Sequence, residues 1–288
     1  IMQKNYRENY LKSYAIKSIN SKGRIYNEPE NTIRSIYQRD RDRIVHSTAF
    51  RRLKHKTQVF VNTEGDHYRT RLTHSMEVSQ IARTLSRSLG LNEDLSETLS
   101  LAHDLGHTPF GHAGEEALSK CMNVYGGFDH NIQTLRIVTF LEKKYYNFDG
   151  LNLSIETLDG LIKHNGPIKN IYRYKKILNK DFFNKKISFN SFPSLEAQVA
   201  AISDDIAYNN HDLEDGLRAG LFSIKKISSI FSISKIIKKH LKNKDKFRKE
   251  ILISQIIRDL INLMVTDVIK TTFKNIKKYK IKTAQDIY

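Results

Sequence analysis

One stretch of the chain, an apolar helical run that ends in charged residues, constrains the fold more than any other. Residues 101–115 read LAHDLGHTPFGHAGE, with three histidines, an aspartate and a glutamate around one helix and the turn after it. Asp104 lies in an apolar pattern that is typical of a buried helix. A buried carboxylate must be paired, hydrogen-bonded or metal-bound to offset its desolvation. His103 and Asp104 can face one metal ion, but two ligands do not complete a site, so the fold must bring further ligands to this turn.

Two other segments offer those ligands. Asp204 follows a second apolar helical run, so it needs a partner for the same reason as Asp104. His74 lies within a cluster, because eight of the eleven histidines fall between His46 and His130. A lone histidine is more often structural, but a cluster beside buried carboxylates favours metal ligands. Two imidazoles and two carboxylates suit one divalent ion (Mn²⁺, Mg²⁺, Fe²⁺ or Zn²⁺), with positions open for water or a phosphate oxygen.

The composition limits the class of protein. The chain has 288 residues, a single cysteine and a net charge of +17. One cysteine excludes a disulfide framework, and no secretory signal or apolar run of about 18 residues is present, which predicts a cytoplasmic protein without a membrane partner. Residues 221–288 hold 17 Lys/Arg against 5 Asp/Glu. This excess indicates either a solvated lysine-rich surface or an electrostatic footprint for nucleotide or single-stranded nucleic acid.

Helical periodicity predicts an all-α fold, a helical bundle with at most a small β-hairpin near residues 58–70. Residues 1–30 are polar and are predicted to form an N-terminal extension, and residues 31–220 the core. Residues 221–288 are predicted to form two basic helices that pack on the core or in an oligomer interface. Asn92 is predicted to cap the helix that leads to His103 and Asp104.

These residues carry a resemblance. His74, His103-Asp104 and Asp204 follow the H…HD…D order of the HD-domain metal-dependent phosphohydrolases. Longer blocks resemble the bacterial deoxyguanosine triphosphate triphosphohydrolase-like family over residues 22–220. The blocks are YQRDRDRI (37–44), FRRLKHKTQVF (50–60), HDLGHTPFGHAGE (103–115), KHNGP (163–167) and DDIAY (204–208). The phosphate-binding GxxxxGK[ST] loop, the dinucleotide motif GxGxxG and the GxSxG elbow are absent from the sequence.

The resemblance implies roles for twelve residues. They are the metal ligands His74, His103, Asp104 and Asp204, the catalytic residues His112, Glu115 and His130, and the substrate contacts Gln58, Arg71, Lys163, Tyr208 and Asp212. His112 and Glu115 are three residues apart, which places both on one helical face, where a carboxylate can orient an imidazole. His107, one turn beyond His103, is interpreted as a structural residue or a neighbour of the ligands.

The implied reaction is hydrolysis of a deoxynucleoside triphosphate (dNTP) to deoxynucleoside and intact tripolyphosphate, with one divalent metal ion. In this interpretation Arg71 and Lys163 hold phosphates, Gln58 and Asp212 contact the 3′-hydroxyl, and Tyr208 crowds a 2′-hydroxyl. The family also implies a homo-oligomer. Two alternatives stay open: an HD-type phosphodiesterase or 5′-nucleotidase, and a nucleic-acid-binding protein with a regulatory HD site. The long matching blocks favour the triphosphohydrolase.

Overall fold

The computed structural model describes residues 6–60, 68–175, 187–230, 233–242 and 248–288. Within these ranges the chain forms twelve α-helices and no β-strand, which confirms the all-α prediction. The helices are α1 (Ile36–Val45), α2 (Thr48–Arg52), α3 (Arg71–Leu89), α4 (Glu93–Ala102), α5 (Gly111–Cys121), α6 (His130–Arg136), α7 (Ile155–Ile162), α8 (Tyr172–Lys175), α9 (Leu195–Arg218), α10 (Ile224–Ile227), α11 (Ser234–Leu241) and α12 (Lys249–Lys278).

Short polar side chains begin the helices that carry the site. The side chain of Asn92 accepts a hydrogen bond from the backbone N–H of Leu95 and so begins α4, as predicted. Ser194 accepts from the N–H of Ala197 at the start of α9 in the same way. Each such cap contributes about 1 kcal/mol. Gly90 ends α3 in the left-handed conformation, with φ 71°, which suits glycine at the end of a helix.

Helix α4 lies at the centre of the bundle, in contact with α1, α3, α7 and α9. Its residues Leu95, Leu99 and Ala102 are buried in the core. Ser86 on α3 donates to the hydroxyl of Ser96 on α4 at 2.7 Å, so the two helices approach closely without leaving either buried hydroxyl unpaired. The C-terminal end of α4, where the metal-ligand candidates begin, is therefore held inside the fold.

The C-terminal region forms three helices, α10, α11 and α12, in the described parts of residues 221–288, where two were predicted. Helix α10 is short because it ends at two consecutive serines. The hydroxyls of Ser228 and Ser229 donate to the carbonyls of Lys225 and Lys226, which competes with continued backbone hydrogen bonding. Helix α12 packs against α3 and α9.

The segment around residues 58–70 is paired only at its base in the described residues. Thr57 and Thr70 form an isolated antiparallel bridge. On either side of it, Gln58 N–H donates to the carbonyl of Arg69, and Arg71 N–H donates to the carbonyl of Lys56. The tip of the predicted hairpin lies outside the described residues. This pairing sets Gln58 beside the start of α3.

The N-terminal residues contact the bundle directly. The hydroxyl of Tyr14 donates to the carbonyl of Leu89, and Arg24 pairs with Asp40 in the interior.

The division of the chain into regions 1–30, 31–220 and 221–288 stays a proposal. None of the helices in the described ranges combines the length and the apolar character that a membrane crossing requires.

Candidate metal centre and active site

Three helices bring the four predicted metal ligands together. His74 lies in the first turn of α3, His103 and Asp104 follow the end of α4, and Asp204 lies on α9. The Nε2 atom of His74 is 2.9 Å from Oδ1 of Asp204, and the Nε2 atom of His103 is 3.6 Å from the same oxygen. Oδ1 of Asp104 lies 3.3 Å from Nε2 of His103. Ligand atoms of His74, His103 and Asp204 therefore lie within 4.8 Å of one another. Asp104 lies at the edge of this group, and its Oδ1 is also 2.9 Å from Nδ1 of His107.

The donor atoms fit a divalent ion. The Nδ1 atom of His103 donates to the carbonyl of Ser100 at 2.6 Å, and a carbonyl can only accept. In the neutral ring, the form that binds a metal ion, the hydrogen is therefore on Nδ1, and Nε2 would present its lone pair to the ion. That buried Nε2 makes no hydrogen bond within the described ranges. Two imidazole nitrogens with carboxylate oxygens are a donor set for Mn²⁺, Fe²⁺ or Zn²⁺.

The electrostatics of the cluster are strongly coupled. Burial alone would lower the pKa of His103, but the carboxylates of Asp104 and Asp204 outweigh it and raise that pKa to about 9. Burial would raise the pKa of Asp204, and the neighbouring His103, His164 and His74 lower it instead. Both carboxylates therefore stay ionised and available to a cation at neutral pH.

A second cluster lies beside the first and contains His107, Glu115 and His130. Both carboxylate oxygens of Glu115 lie 2.9 Å from Nδ1 of His130, and one of them also accepts from the backbone N–H of His130. His112, the expected partner of Glu115, is 3.8 Å from it, and its side chain is 73% exposed. The structure therefore holds His130, rather than His112, by a hydrogen bond to Glu115.

Gly106 explains why His130 reaches this position. Its N–H donates to the hydroxyl of Thr134 on α6, and that hydroxyl donates to the carbonyl of His103. A Cβ atom at residue 106 would lie 2.1 Å from the carbonyl oxygen of His130. Only glycine allows α6 to approach the turn this closely, and the ring centroids of His107 and His130 lie 3.9 Å apart, with the rings tilted by 31°.

Arg71 enters the site from the start of α3. Its Nη1 donates to Oδ2 of Asp104 at 2.8 Å, and the residue is only 4% exposed. Its Nε has no hydrogen-bond partner in the part of the chain that the structure describes. A guanidinium with a free donor at a metal-ligand cluster suits an incoming phosphate oxygen.

Three further predicted residues, Gln58, Tyr208 and Asp212, line the same cavity as Arg71. Gln58 Oε1 and Asp212 Oδ1 are buried, and neither has a hydrogen-bond partner among the described residues. Burial raises the pKa of Asp212, and the Asp212 carboxylate in turn raises the pKa of the neighbouring Tyr208. Tyr208 itself is exposed. Unpaired acceptors of this kind can receive hydroxyl donors from a ligand.

The site residues line one cavity of about 430 Å³, within the size range of about 300–1,000 Å³ for small-molecule sites. Of the twelve predicted residues, ten line it. They are Gln58, Arg71, His74, His103, Asp104, His112, His130, Asp204, Tyr208 and Asp212. Glu115 lies behind His130. Lys163 points elsewhere, because its ammonium contacts Asp159 at 2.7 Å in the protein interior.

Two histidines at the metal-ligand cluster were not among the predicted site residues. His164 stacks on His103, and its Nε2 lies 3.4 Å from Oδ2 of Asp204. His211 lies 3.4 Å from His74, measured between their Nδ1 atoms. His211 follows Asp204 by seven residues, which is two helical turns, so helical spacing could have indicated that it shares the face of Asp204.

In metal-free protein we expect the free energy of unfolding to peak near pH 6.5. Burial lowers the pKa of His107 to about 4 and that of His211 to about 3, while the pKa of His103 is raised to about 9. Unfolded histidines titrate near about 6.5. Below that pH the unfolded chain gains protons that His107 and His211 exclude, so stability falls as the pH drops. Above it the stability from protonated His103 is lost as the pH rises toward 9.

Urea unfolding in the presence of a chelator, at about pH 5, 6.5 and 8.5, would measure this dependence. We expect the midpoint to be highest at the middle pH. A midpoint that does not change across the series would contradict these protonation states.

Comparison with known proteins identifies the class of the domain. A family model described as HD domain matches residues 71–209. Together with the His/Asp cluster, it defines the protein as a metal-dependent hydrolase of the HD class. The structural match to the HD domain of the L. monocytogenes phosphodiesterase PgpH covers 67% of this chain and 90% of that domain, at 19% identity and a TM-score of 0.25. This likeness is too weak to bear on function.

Three curated relatives carry the name deoxyguanosinetriphosphate triphosphohydrolase-like protein. The relative from Pelagibacter ubique is 61% identical, over 93% of this chain and 72% of its own length. The relative from Parvibaculum lavamentivorans is 51% identical, over 95% of this chain and 70% of its own length. The relative from Bartonella henselae is 53% identical, over 96% of this chain and 70% of its own length. The chain belongs to the deoxyguanosinetriphosphate triphosphohydrolase-like family.

Proposed function

We propose that this chain hydrolyses dNTPs to deoxynucleoside and tripolyphosphate. The observation that carries the proposal is that one cavity contains two kinds of polar group. The cavity is lined by the metal-ligand candidates and Arg71, and also by Gln58 and Asp212, each of which has a buried acceptor without a partner among the described residues. A triphosphate and a deoxyribose need these two chemistries side by side. The names of the relatives support the same substrate class.

His74, His103, Asp104 and Asp204 would hold the ion. When bound, the metal would supply positive charge that polarises a phosphate and lowers the pKa of a water molecule. The guanidinium of Arg71 binds phosphate oxygens through its free Nε donor and keeps Asp104 oriented by the contact at 2.8 Å. Positioning the triphosphate in this way fixes which phosphorus faces the attacking water.

The reaction forms a bond from a water oxygen to the α-phosphorus and breaks the bond from that phosphorus to the 5′-oxygen. The leaving 5′-oxygen needs a proton. His112 was expected to supply it together with Glu115, but Glu115 is hydrogen-bonded to His130. We therefore assign the proton transfer to His130, with Glu115 orienting its ring, and place His112 at the cavity rim near the phosphates.

The sugar contacts explain a preference for deoxynucleotides. In this proposal Asp212 accepts the one hydrogen bond that the 3′-hydroxyl can donate, and the amide of Gln58 contacts the oxygen of the same hydroxyl. Tyr208, which lines the same cavity, occupies the space that a 2′-hydroxyl would need. A site that excludes a hydroxyl by crowding discriminates less strongly than one that must hydrogen-bond it, so we expect a preference rather than complete rejection of ribonucleotides.

Assembly and further partners are proposals too. The basic helix α12 leaves Leu263 and Phe273 exposed beside several lysines. This surface suits contact with a second copy of the chain, as the relatives' family implies, or with single-stranded nucleic acid. Salt-dependent binding of a single-stranded oligonucleotide would distinguish the second from the first.

Product analysis tests the proposed reaction. The protein is incubated with each dNTP, alone and in a mixture, with Mn²⁺ or Mg²⁺, and the phosphate products are separated. We expect tripolyphosphate and deoxynucleoside in equal amounts, and slower turnover of ribonucleotides. Pyrophosphate with a monophosphate, or hydrolysis of cyclic nucleotides instead of triphosphates, would replace the proposal by the phosphodiesterase alternative.

A further inference from the structure

His211 is a buried histidine to which the proposed reaction gives no role. It lies on α9, is 3% exposed, and its Nδ1 is 3.4 Å from Nδ1 of His74. Its other ring nitrogen, Nε2, is 3.3 Å from Oε2 of Glu77 on α3. His211 therefore stands directly between a metal-ligand candidate and a carboxylate.

The two ligand histidines differ in what lies behind them. Behind His103 is the carbonyl of Ser100, which can only accept, so the hydrogen of His103 is placed on Nδ1. Behind His74 is an imidazole nitrogen, which can donate or accept depending on its own tautomer. The state of His74 therefore depends on where His211 carries its hydrogen.

Glu77 determines that position. A carboxylate accepts only, so the nitrogen of His211 that faces it, Nε2, carries the hydrogen. The neutral ring then has a lone pair on Nδ1, which accepts from Nδ1–H of His74. With an ion bound, His74 would then present the lone pair of Nε2 to it; without the ion, the same nitrogen makes the 2.9 Å hydrogen bond with Oδ1 of Asp204.

Glu77 is itself held in place. The Nε of Arg69 donates to Oε2 of Glu77 at 3.0 Å. The same guanidinium contacts Glu214 at 2.6 Å and Asp215 at 3.0 Å, both on α9. Arg69 thus holds the carboxylate of Glu77 through Oε2, the same oxygen that faces His211, and ties it to the pair of helices that carries His74 and Asp204.

We propose that His211 is a positioning residue for the metal site: the Glu77–His211 pair orients the imidazole of His74 and keeps its Nε2 free to bind a divalent ion. The inference rests on the proposed function only in taking His74 as a metal ligand. Partners of this kind behind a ligating histidine change metal affinity by about 10–100-fold when they are removed.

The test is calorimetric titration of the full chain with Mn²⁺ alone, without nucleotide. In His211→Leu the acceptor is lost at similar volume, and we expect Mn²⁺ affinity to fall about 10–100-fold. In His211→Asn the amide oxygen lies close to the former Nδ1 position, so affinity should stay close to that of the wild type. Glu77→Gln offers either a donor or an acceptor to His211, so affinity should fall by less than in His211→Leu.

Glu93→Gln is the matched control, since Glu93 also pairs with arginine, Arg87 at 2.8 Å, but lies away from the cluster. Its affinity should not change. Unfolding in a chelator reports folding separately. Unchanged Mn²⁺ affinity in His211→Leu, or an equal loss in His211→Asn, would overturn the proposal. If His211→Leu does not fold, the comparison of Glu77→Gln with Glu93→Gln decides, and equal affinities would overturn it.

The proposed reaction and the proposed role of His211 can be refuted independently. Wild-type protein that binds Mn²⁺ but forms no tripolyphosphate would refute the proposed function and leave the role of His211 standing. Wild-type protein that hydrolyses dNTPs, with Mn²⁺ affinity indifferent to His211→Leu, would do the reverse.

Discussion

Asp204→Asn is expected to abolish both hydrolysis and Mn²⁺ binding, whereas Asp205→Asn is expected to leave both near the wild-type level. Oδ1 of Asp204 is the atom on which His74 and His103 converge, at 2.9 and 3.6 Å. An amide keeps the shape of the side chain but removes its charge. Loss of the ion removes several kcal/mol of transition-state stabilisation, so we expect activity to fall on the order of a thousandfold or more.

Asp205 is a close control, because it is the same residue type at the next position of α9 and its side chain is exposed. Tripolyphosphate release and Mn²⁺ titration are measured on both variants. Activity in Asp204→Asn within tenfold of the wild type, or an equal loss in Asp205→Asn, would refute the assignment of the metal site. Unfolding curves in a chelator show whether the amide alone disturbs the fold.

The sequence predicts the helical architecture well because that architecture follows from local rules, whereas the metal-ligand role of the clustered residues stays a prediction. Helical periodicity and the cap at Asn92 depend on residues within a few positions of one another. Asp104 and Asp204 each interrupt an apolar helical run, and buried charge requires a partner, so their convergence could be expected before any coordinates. The structure places them 3.3 and 3.6 Å from the same atom, Nε2 of His103.

The orientation of neighbouring side chains could not be predicted in the same way. Lys163 and His164 are adjacent and follow the end of α7, where the backbone of Lys163 has left the helical conformation. The sequence does not say which of the two faces the cavity. The structure turns Lys163 into the interior, where Asp159 offsets its charge, and turns His164 toward Asp204.

The partner of Glu115 depends on tertiary packing. Spacing along α5 favours His112, three residues away, whereas the structure pairs Glu115 with His130, fifteen residues away. That pairing requires α6 to approach the turn at Gly106, where a side chain would collide with backbone. No pattern of local sequence spacing predicts this contact.

Arg71→Met is expected to weaken triphosphate turnover and to destabilise the metal-free protein. Among the described residues that line the cavity, Arg71 is the only arginine or lysine, so its loss removes the one fixed cationic side chain for a highly charged substrate. It also leaves the buried carboxylate of Asp104 without the partner at 2.8 Å. Removing one member of a buried pair costs about 3–5 kcal/mol when the other is left uncompensated, but Asp104 keeps His103 and His107 as neighbours, so we expect a smaller loss in a chelator.

A bound cation should offset part of the stability that Arg71→Met loses. If Asp104 is a metal ligand, saturating Mn²⁺ supplies positive charge to the same carboxylate, so the stability deficit of Arg71→Met should shrink when the metal is added. Turnover should stay low, because the phosphates still lack the guanidinium. Urea unfolding with and without Mn²⁺, together with steady-state kinetics, separates the two effects.

Arg83→Met serves as the control, since Arg83 lies on the same helix, is 43% exposed in its side chain and pairs with Glu93 at 3.6 Å on the surface. Surface pairs of this kind contribute about 0–1 kcal/mol, so neither stability nor turnover should change much. Equal effects of the two substitutions in the chelator would show that the pair of Arg71 and Asp104 is not a buried charge pair in solution. A deficit that Mn²⁺ leaves untouched would show that Asp104 does not bind the ion.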